Sequence, residues 1–429
     1  MGRVLTLDDV KVDGMTVLLR VDINSPLDPA TGAFLDTSRF EGILPTITRL
    51  IKAKTVLLTH QSRPGKDDFT TTHGHSRELG RLLGRPVKWV EDIHGEAALA
   101  AIEDLQDGEI LVLNNVRMDD EEFSRSRDSF EELTNSRLVV RLAGVADLFV
   151  YDAFACAHRN APSITGFTHV LPCVAGELMR REVDALQDAA KNPKRPSIAV
   201  LGGIKVDDSV AVADNMLRSG SIDAVWATGG VANLFLSLAG HDPGDISLDF
   251  LAAELKGKWL PTVETARKLY EEFSKVIHLP IDVAANVGGN RLDLEVENLP
   301  VDAPILDLGV QSTIILSQAI RTSGTVILNG PAGVFEDNNF AFGTVEMLNA
   351  CAETEAFVVI GGGHTATLIS KKGLATRMGH ISTGGGACLD FLAGKTLPAV
   401  ESLETSAQEF GVSILSEIEV DGDSTERNN

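Results

Sequence analysis

TVLLRVDIN (16–24), SRFEGILPTITRLIKA (38–53) and TVLLTH (55–60), read in that order, decide the fold. The first and third are short apolar runs rich in β-branched residues, and the middle one spaces its apolar residues as a helix does. Strand, helix and strand in that order make a parallel unit buried on both faces. The pattern continues outward. HSRELGRLLG (75–84) predicts a helix, followed by the strand VKWV, a helix at GEAALAAIEDL, the strand EILVLNNV, a helix through FEELTNSRLVVRLAGV, and the strand LFVYDA. VAGELMRREVDALQDAAK (174–191) predicts one long helix that stops at NPKRP. SIAVLGG then opens a second series, carried on by AVWATGG, VIHLPIDVAA, TVILNGP and AFVVIGGG with helices between. The expected fold class is α/β: two doubly wound, Rossmann-like lobes with parallel sheets, joined by a long helix that serves as a hinge. The expected division is 1–175 for the first lobe, 176–192 for the connecting helix, 193–403 for the second lobe and 404–429 for an acidic, frayed tail.

A chain of 429 residues, 44% hydrophobic and 23% charged, has the length for two or three domains and the composition of an ordinary globular protein. The opening MGRVLTLDDVKVDG has no apolar core of a secretion signal. No apolar run approaches the roughly 20 residues that span a bilayer, so no membrane partner is expected. MGRVLT holds the Gly2 and Thr6 of a myristoylation pattern, a short match of little weight. Cys156, Cys173, Cys351 and Cys388 lie far apart without a CxxC pair, which speaks against a disulfide framework or a zinc site and for a reducing cytoplasm. A net charge of −23 excludes general nucleic-acid binding and favours solubility, in a salty cytoplasm in particular. An enzyme for anions in such a chain has to gather its cations locally.

Ligands of open α/β sheets bind beyond the carboxyl ends of the strands. In the first half those places hold Asp22 and Asn24, then His60, Gln61, Ser62 and Arg63, then Arg117, then His158 and Arg159, while Arg39 opens the first helix. A surface salt bridge explains any one of these arginines. Arg39, Arg63, Arg117 and Arg159 together point to an anion, whose oxygens the guanidinium fork binds in pairs. A histidine at a strand end is as often structural as ligand-binding, and that holds for His60 and His158. In the second half the strand ends carry LGGIK, ATGG, LNGPAG, VIGGGHT and ISTGGGA. Glycine lets the backbone approach a phosphate, and a following helix offers free N–H groups. Lys205 follows the first of these turns. Neither GxGxxG nor GxxxxGK[ST] is present, so a dinucleotide fingerprint and a P-loop are both missing. The residues alone lead to a two-lobed phosphotransferase that closes on its substrates to keep water out. A nucleotide sensor without turnover would not need the arginines, and a dehydrogenase would need the missing fingerprint.

Eight stretches in order from residue 20 to residue 400 resemble the phosphoglycerate kinase family. They are RVDINSP, THQSRP, NNVR, DAFACAHRNAPSITG, LGGIKVDDS, LNGPAGVFE, VIGGGHTA and HISTGGGACLDFLAGKTLPAV. The resemblance implies reversible phosphoryl transfer between ATP and the carboxylate of 3-phosphoglycerate, in glycolysis and gluconeogenesis, by a cytoplasmic enzyme using magnesium with ATP or ADP. It implies that Asp22, Asn24, Arg39, His60, Gln61, Ser62, Arg63, Arg117 and Arg159 hold 3-phosphoglycerate. It places the nucleotide on Gly202, Gly203, Lys205, Gly230, Asn329, Pro331, Glu336, Gly362, Gly363, His364 and Thr365, with Glu336 at the ribose. The catalytic groups it implies are Arg39, Lys205 and backbone N–H groups at Gly362 and Gly385. A single chain is expected to be the working unit, with a homodimer as the alternative.

Two positions depart from the family pattern and resemble its archaeal branch. Ser209 stands where GGAKVSDK has its second lysine, and His364 stands where GGGDT has an aspartate that holds the nucleotide's magnesium. The metal's protein ligands are therefore open. The expectation is an ion held by phosphates and water, aided by Asp207 or Asp208; both also suit a helix N-terminus as fixed negative charge.

Overall fold

The computed structural model describes residues 2–425, except for the side chains at 363, 364, 367 and 412–425. The chain divides into two compact units, Met1–Glu182 with Thr396–Asn429, and Val183–Lys395.

In the first unit the strands are β1 (Thr16–Val21), β2 (Lys54–Leu58), β3 (Lys88–Trp89), β4 (Ile110–Val112), β5 (Leu148–Asp152) and β6 (Cys173–Ala175). They pair in the order β3-β4-β2-β1-β5-β6, all parallel, with Leu18 opposite Val56 on one side and Phe149 on the other. The chain winds one way from β1 to β3 and returns on the other side at β5, so the strand order reverses beside β1. Helix Ser38–Arg49 buries Phe40, Ile43, Thr46 and Ile47, one face at helical spacing, against Val17, Leu19 and Val21. Each such apolar side chain stabilises the unit by about 1.5–3 kcal/mol through burial.

In the second unit β7 (Ser197–Leu201), β8 (Ala224–Ala227) and β9 (Ile277–His278) lie in one sheet with β13 (Thr325–Asn329), β14 (Phe357–Gly361) and β15 (His380–Ile381). The order is β15-β14-β13-β7-β8-β9, again parallel. A separate antiparallel sheet holds β10 (Asp282–Val287), β11 (Asn290–Glu295) and β12 (Ile305–Leu308). Among the described residues these are the two doubly wound parallel sheets expected of the sequence.

Three local expectations are corrected. VIHLPIDVAA is two strands in different sheets: Pro280 interrupts it, and the Ser312 hydroxyl takes the N–H groups of Ile281 at 2.9 Å and Asp282 at 3.1 Å. The helix expected from Val174 begins at Glu177, because Cys173–Ala175 form the edge strand β6. Its first turn rests on the buried Asp152, which accepts from Met179 N at 2.9 Å and from Thr46 Oγ1 at 2.6 Å.

The third correction concerns the stretch from 404. Pro398 opens a helix, Pro398–Thr425, and Ala407 and Phe410 pack on the first unit's core. Ser406 Oγ accepts from Cys173 N at 2.9 Å and Ser402 Oγ lies 2.6 Å from Thr168 Oγ1, both contacts being buried. The acidic composition hid this one packed face.

Ser406→Ala leaves the Cys173 N–H without an acceptor, so stability in urea unfolding falls by about 1–3 kcal/mol. Glu409→Ala removes only the exposed pair with His169 and changes stability by less than about 1 kcal/mol. Equal losses would mean that the buried polar contacts do not anchor this helix.

Candidate functional site

In the first unit the carboxyl edge of the sheet gathers the polar residues at the point where strand order reverses. Asp22 follows β1 and is buried. Arg39, on the first turn of its helix, reaches it at 2.5 Å. Asp22 Oδ1 accepts from Asn24 N at 3.0 Å, and Asn24 Oδ1 accepts from Ser62 N at 2.8 Å. Arg117 Nη1 donates to Ser62 O at 2.5 Å. Ser62 holds φ at 56°, a left-handed conformation that costs a residue other than glycine, and the Asp68 carboxylate on its hydroxyl helps to hold it there. Cys156 Sγ lies 3.6 Å from Asp22 Oδ2.

Charge explains the states of these groups. Burial works against a charged Asp22, but Arg39, His60 and the hydrogen bonds outweigh it and hold the carboxyl well below its usual range. Burial also opposes Arg39, and Asp22 more than compensates, raising it. His60 is pushed well below its ordinary value, by burial first and by Arg20, Arg117 and Arg159 in addition, against the pull of Asp22. It is neutral near pH 7. Arg20 Nη2 lies 3.3 Å from His60 Nδ1, and a guanidinium only donates, so Nδ1 accepts and Nε2 carries the proton. Arg117 is lowered to about 10, by burial and then by Arg159. Positive charge gathered in this way favours a nearby anion.

Asp22, His60 and Cys156 place ligand atoms within 4.8 Å of one another, a set that suits a transition metal. Arg39 on the carboxylate and Arg20 on the imidazole already occupy two of the three, and the surrounding positive charge opposes a dication.

Asp22, Asn24, Arg39, His60, Ser62, Arg117 and Arg159 thus belong to one constellation. Arg63 follows on the same turn and is exposed. Gln61 is not a ligand group: it is fully buried, gives Nε2 to Ser25 O at 3.2 Å and meets His75 Nε2 with Oε1 at 3.0 Å. The sequence reading missed Arg20. It is 1% exposed, donates to Ser163 Oγ at 3.0 Å and holds the His60 tautomer. Its signal was present: an arginine inside an apolar strand is buried only with partners.

In the second unit the strand ends form a continuous groove. A 610 Å³ cavity is lined by Gly203, Lys205, Asn329, Gly362, Thr365 and Gly385, among others. Gly362 adopts φ 92° and leads into helix Gly363–Lys371, whose first N–H groups have no partner within the helix. Gly385 opens helix Gly385–Leu392 in the same cavity. Burial, and then Asp207, raise the pKa of Asp208, which also lines it. The Thr365 hydroxyl is buried there without a hydrogen-bond partner.

Beyond Gly203 and Ile204, which line both, lies an apolar cavity of 480 Å³. Gly230, Asn233, Phe250, Pro331, Val334 and Glu336 are among its walls. Gly202 lines the polar end, where a side chain would collide with Thr228 and the carbonyl of Pro331. Phe250, Asn233, Lys256 and Lys258 had escaped the sequence reading, because no motif marks them, and Val334 stood unremarked inside LNGPAGVFE. Ser209 is buried and accepts from Asn329 Nδ2 at 3.4 Å, so it props the wall. The side chain of His364 lies outside the described residues.

Residues 7–395 match the family model of phosphoglycerate kinase. The chain is 46% identical to the phosphoglycerate kinase of Methanothermobacter thermautotrophicus over 403 residues, 94% of this chain and 97% of that protein. It is 42% identical to that of Thermococcus kodakarensis, over 94% of this chain and 98% of the relative. The crystal structure of phosphoglycerate kinase from Pyrococcus horikoshii superposes with a TM-score of 0.86 at 39% identity, over 95% of this chain and all of that one.

His75 beneath Gln61 makes stability depend on pH. Burial lowers it from 6.5 to about 4. The unfolded chain therefore binds a proton that the folded chain refuses, and stability present above pH 6.5 is lost as pH falls toward 4, by up to about 3 kcal/mol. In urea unfolding the wild type should lose more stability than His75→Gln between pH 7.5 and 4.5. Equal losses would remove His75 as a cause.

Proposed function

We propose that this chain, which belongs to the phosphoglycerate kinase family, binds 3-phosphoglycerate on the guanidinium cluster of its first unit and ATP along the groove of its second. Its reaction is the reversible transfer of a phosphoryl group between ATP and the carboxylate of 3-phosphoglycerate. The observation that carries the assignment of the acid is the run of contacts that ties Arg117 through Ser62 and Asn24 to the Asp22–Arg39 pair, with Arg159 following β5 on the same sheet edge. Arg63 and Asn24 complete that surface in our reading. Neutral His60 offers its Nε2–H as a donor.

For the nucleotide, the apolar cavity suits the base, with Glu336 at the ribose and Gly230 and Pro331 in the walls. The polar cavity suits the phosphates, with Gly202, Gly203, Lys205, Asn329 and Thr365 around it. The helix that starts at Gly363 and His364 turns its free N–H groups to the same place.

A carboxylate is already a nucleophile and needs no general base. What the protein supplies is position and positive charge. Arg39 and Lys205 carry that charge, and the N–H groups at Gly362 and Gly385 face the oxygens on which negative charge develops. Magnesium accompanies the nucleotide in this reading and, when bound, neutralises phosphate charge. Asp208 fits it better than Asp207, since Lys258 already holds Asp207 at 2.7 Å. The orphaned Thr365 hydroxyl suits a phosphate oxygen or a water of the ion.

No helix among the described residues is long and apolar enough to cross a membrane. The four cysteines are free and buried, which fits a reducing compartment such as the cytoplasm. Each proposed ligand surface lies within one unit of one chain, so we take the single chain as the working unit.

A coupled assay with ATP and 3-phosphoglycerate tests the site. Wild type turns over, and Arg39→Ala and Lys205→Ala each lose roughly 100- to 1,000-fold in kcat. A loss below about tenfold in either removes that residue from its role.

A further inference from the structure

Helix Asp245–Leu255 ends at Lys256, whose backbone sits at φ 52° and ψ −131°. A helix that turns out of its axis in this way usually places glycine there, because a side chain strains the conformation. Glycine is in fact the next residue, Gly257, where an added Cβ would meet open space. Among the described residues, the non-glycine positions at positive φ are Ser62 and Lys256. The first stands in the guanidinium cluster. The second lines the phosphate end of the groove, with Lys205, Asn329 and Thr365. Strain that persists at a ligand wall points to a side chain wanted at that place.

The other cations of this cavity sharpen the point. Lys258 lines it too, but Asp207 takes its ammonium at 2.7 Å. Ser209, on the helix after Lys205, offers a hydroxyl already engaged by Asn329 and no charge. Among the described residues Lys256 makes no ion pair, and it is exposed. A triphosphate brings more negative charge than Lys205 alone neutralises, and the walls also hold Asp208 and Glu254.

We infer that Lys256 is a second cation for the phosphate chain of the nucleotide, held at the cavity by the positive-φ backbone at the end of its helix. Its ammonium acts on the phosphates and has no part in holding the base. The inference rests on the nucleotide reading above and adds a residue from outside the motifs.

Calorimetric titration of the full chain with ATP and with adenosine tests it, in the wild type, Lys256→Met and Lys256→Gly. Both variants should bind ATP about tenfold more weakly, while adenosine affinity stays within about twofold of wild type. Lys256→Gly relieves the strained backbone, so it should melt no lower than wild type while still losing ATP affinity, which a purely structural role would not produce. ATP binding by Lys256→Met within about twofold of wild type overturns the inference, as does an equal loss for ATP and adenosine. A wild type that binds neither ligand overturns the nucleotide site itself, an outcome distinct from failure of Lys256 alone.

Discussion

Parallel pairing makes every strand of a sheet end on the same edge, and both units of this chain are organised by that constraint. Loops leaving that edge are free to carry chemistry, because the sheet and its covering helices hold their ends. In the first unit the edge brings together residues more than a hundred positions apart, Asp22 after β1 and Arg159 after β5. In the second it brings Gly203 beside Pro331, whose carbonyl accepts from Gly203 N at 2.8 Å. The reversal of strand order opens each crevice beside the central strand, and each proposed ligand surface lies there.

The chain's net charge of −23 gives the first of these crevices its meaning. Many arginines among the described residues are spent on carboxylates at the surface, as Arg49 is on Asp8 and Glu177 and Arg218 is on Asp214 and Glu272. Arg117 instead donates to the Ser62 carbonyl and lies over the Phe123 ring, and with Arg159 it places positive charge near a neutral His60. Asp22 offsets part of this charge and locks Arg39, so the cluster is oriented without being neutralised. A site of this kind selects a small polyanion by charge and excludes cations by the same field.

Much of this was legible in the sequence because two signals agree. Apolar runs alternating with helical periodicity gave the two parallel sheets, and polar residues placed just after those runs gave Asp22, His60 and Arg117. What escaped had a local physical cause. Gln61 shares a turn with His60 and Ser62, yet it faces inward to Ser25 and His75, and direction at a turn is not a matter of composition. VIHLPIDVAA is apolar throughout, and only Pro280 hinted that it belongs to two sheets. Part of the wall of the apolar cavity comes from helix Asp245–Leu255, which directly follows no strand of the motif series, and Val334, though inside LNGPAGVFE, has an apolar side chain that nothing singles out as a wall. Lys256 matters through its backbone angle, which one-letter code does not carry.

Because residues 396 onward pack with the first unit, residues 183–395 are in effect an insertion within it. A ribosome adding roughly 5–20 residues per second needs about 10–40 s to travel from the departure of the chain to its return. During that interval Cys173 at the head of β6 lacks its acceptor, since the hydroxyl that serves it has yet to be made, while Leu5 O takes the N–H of Ala175 at the other end. The inserted unit has all its strands in hand before the host has its final helix. The order of synthesis thus favours the middle of the gene product maturing ahead of its beginning.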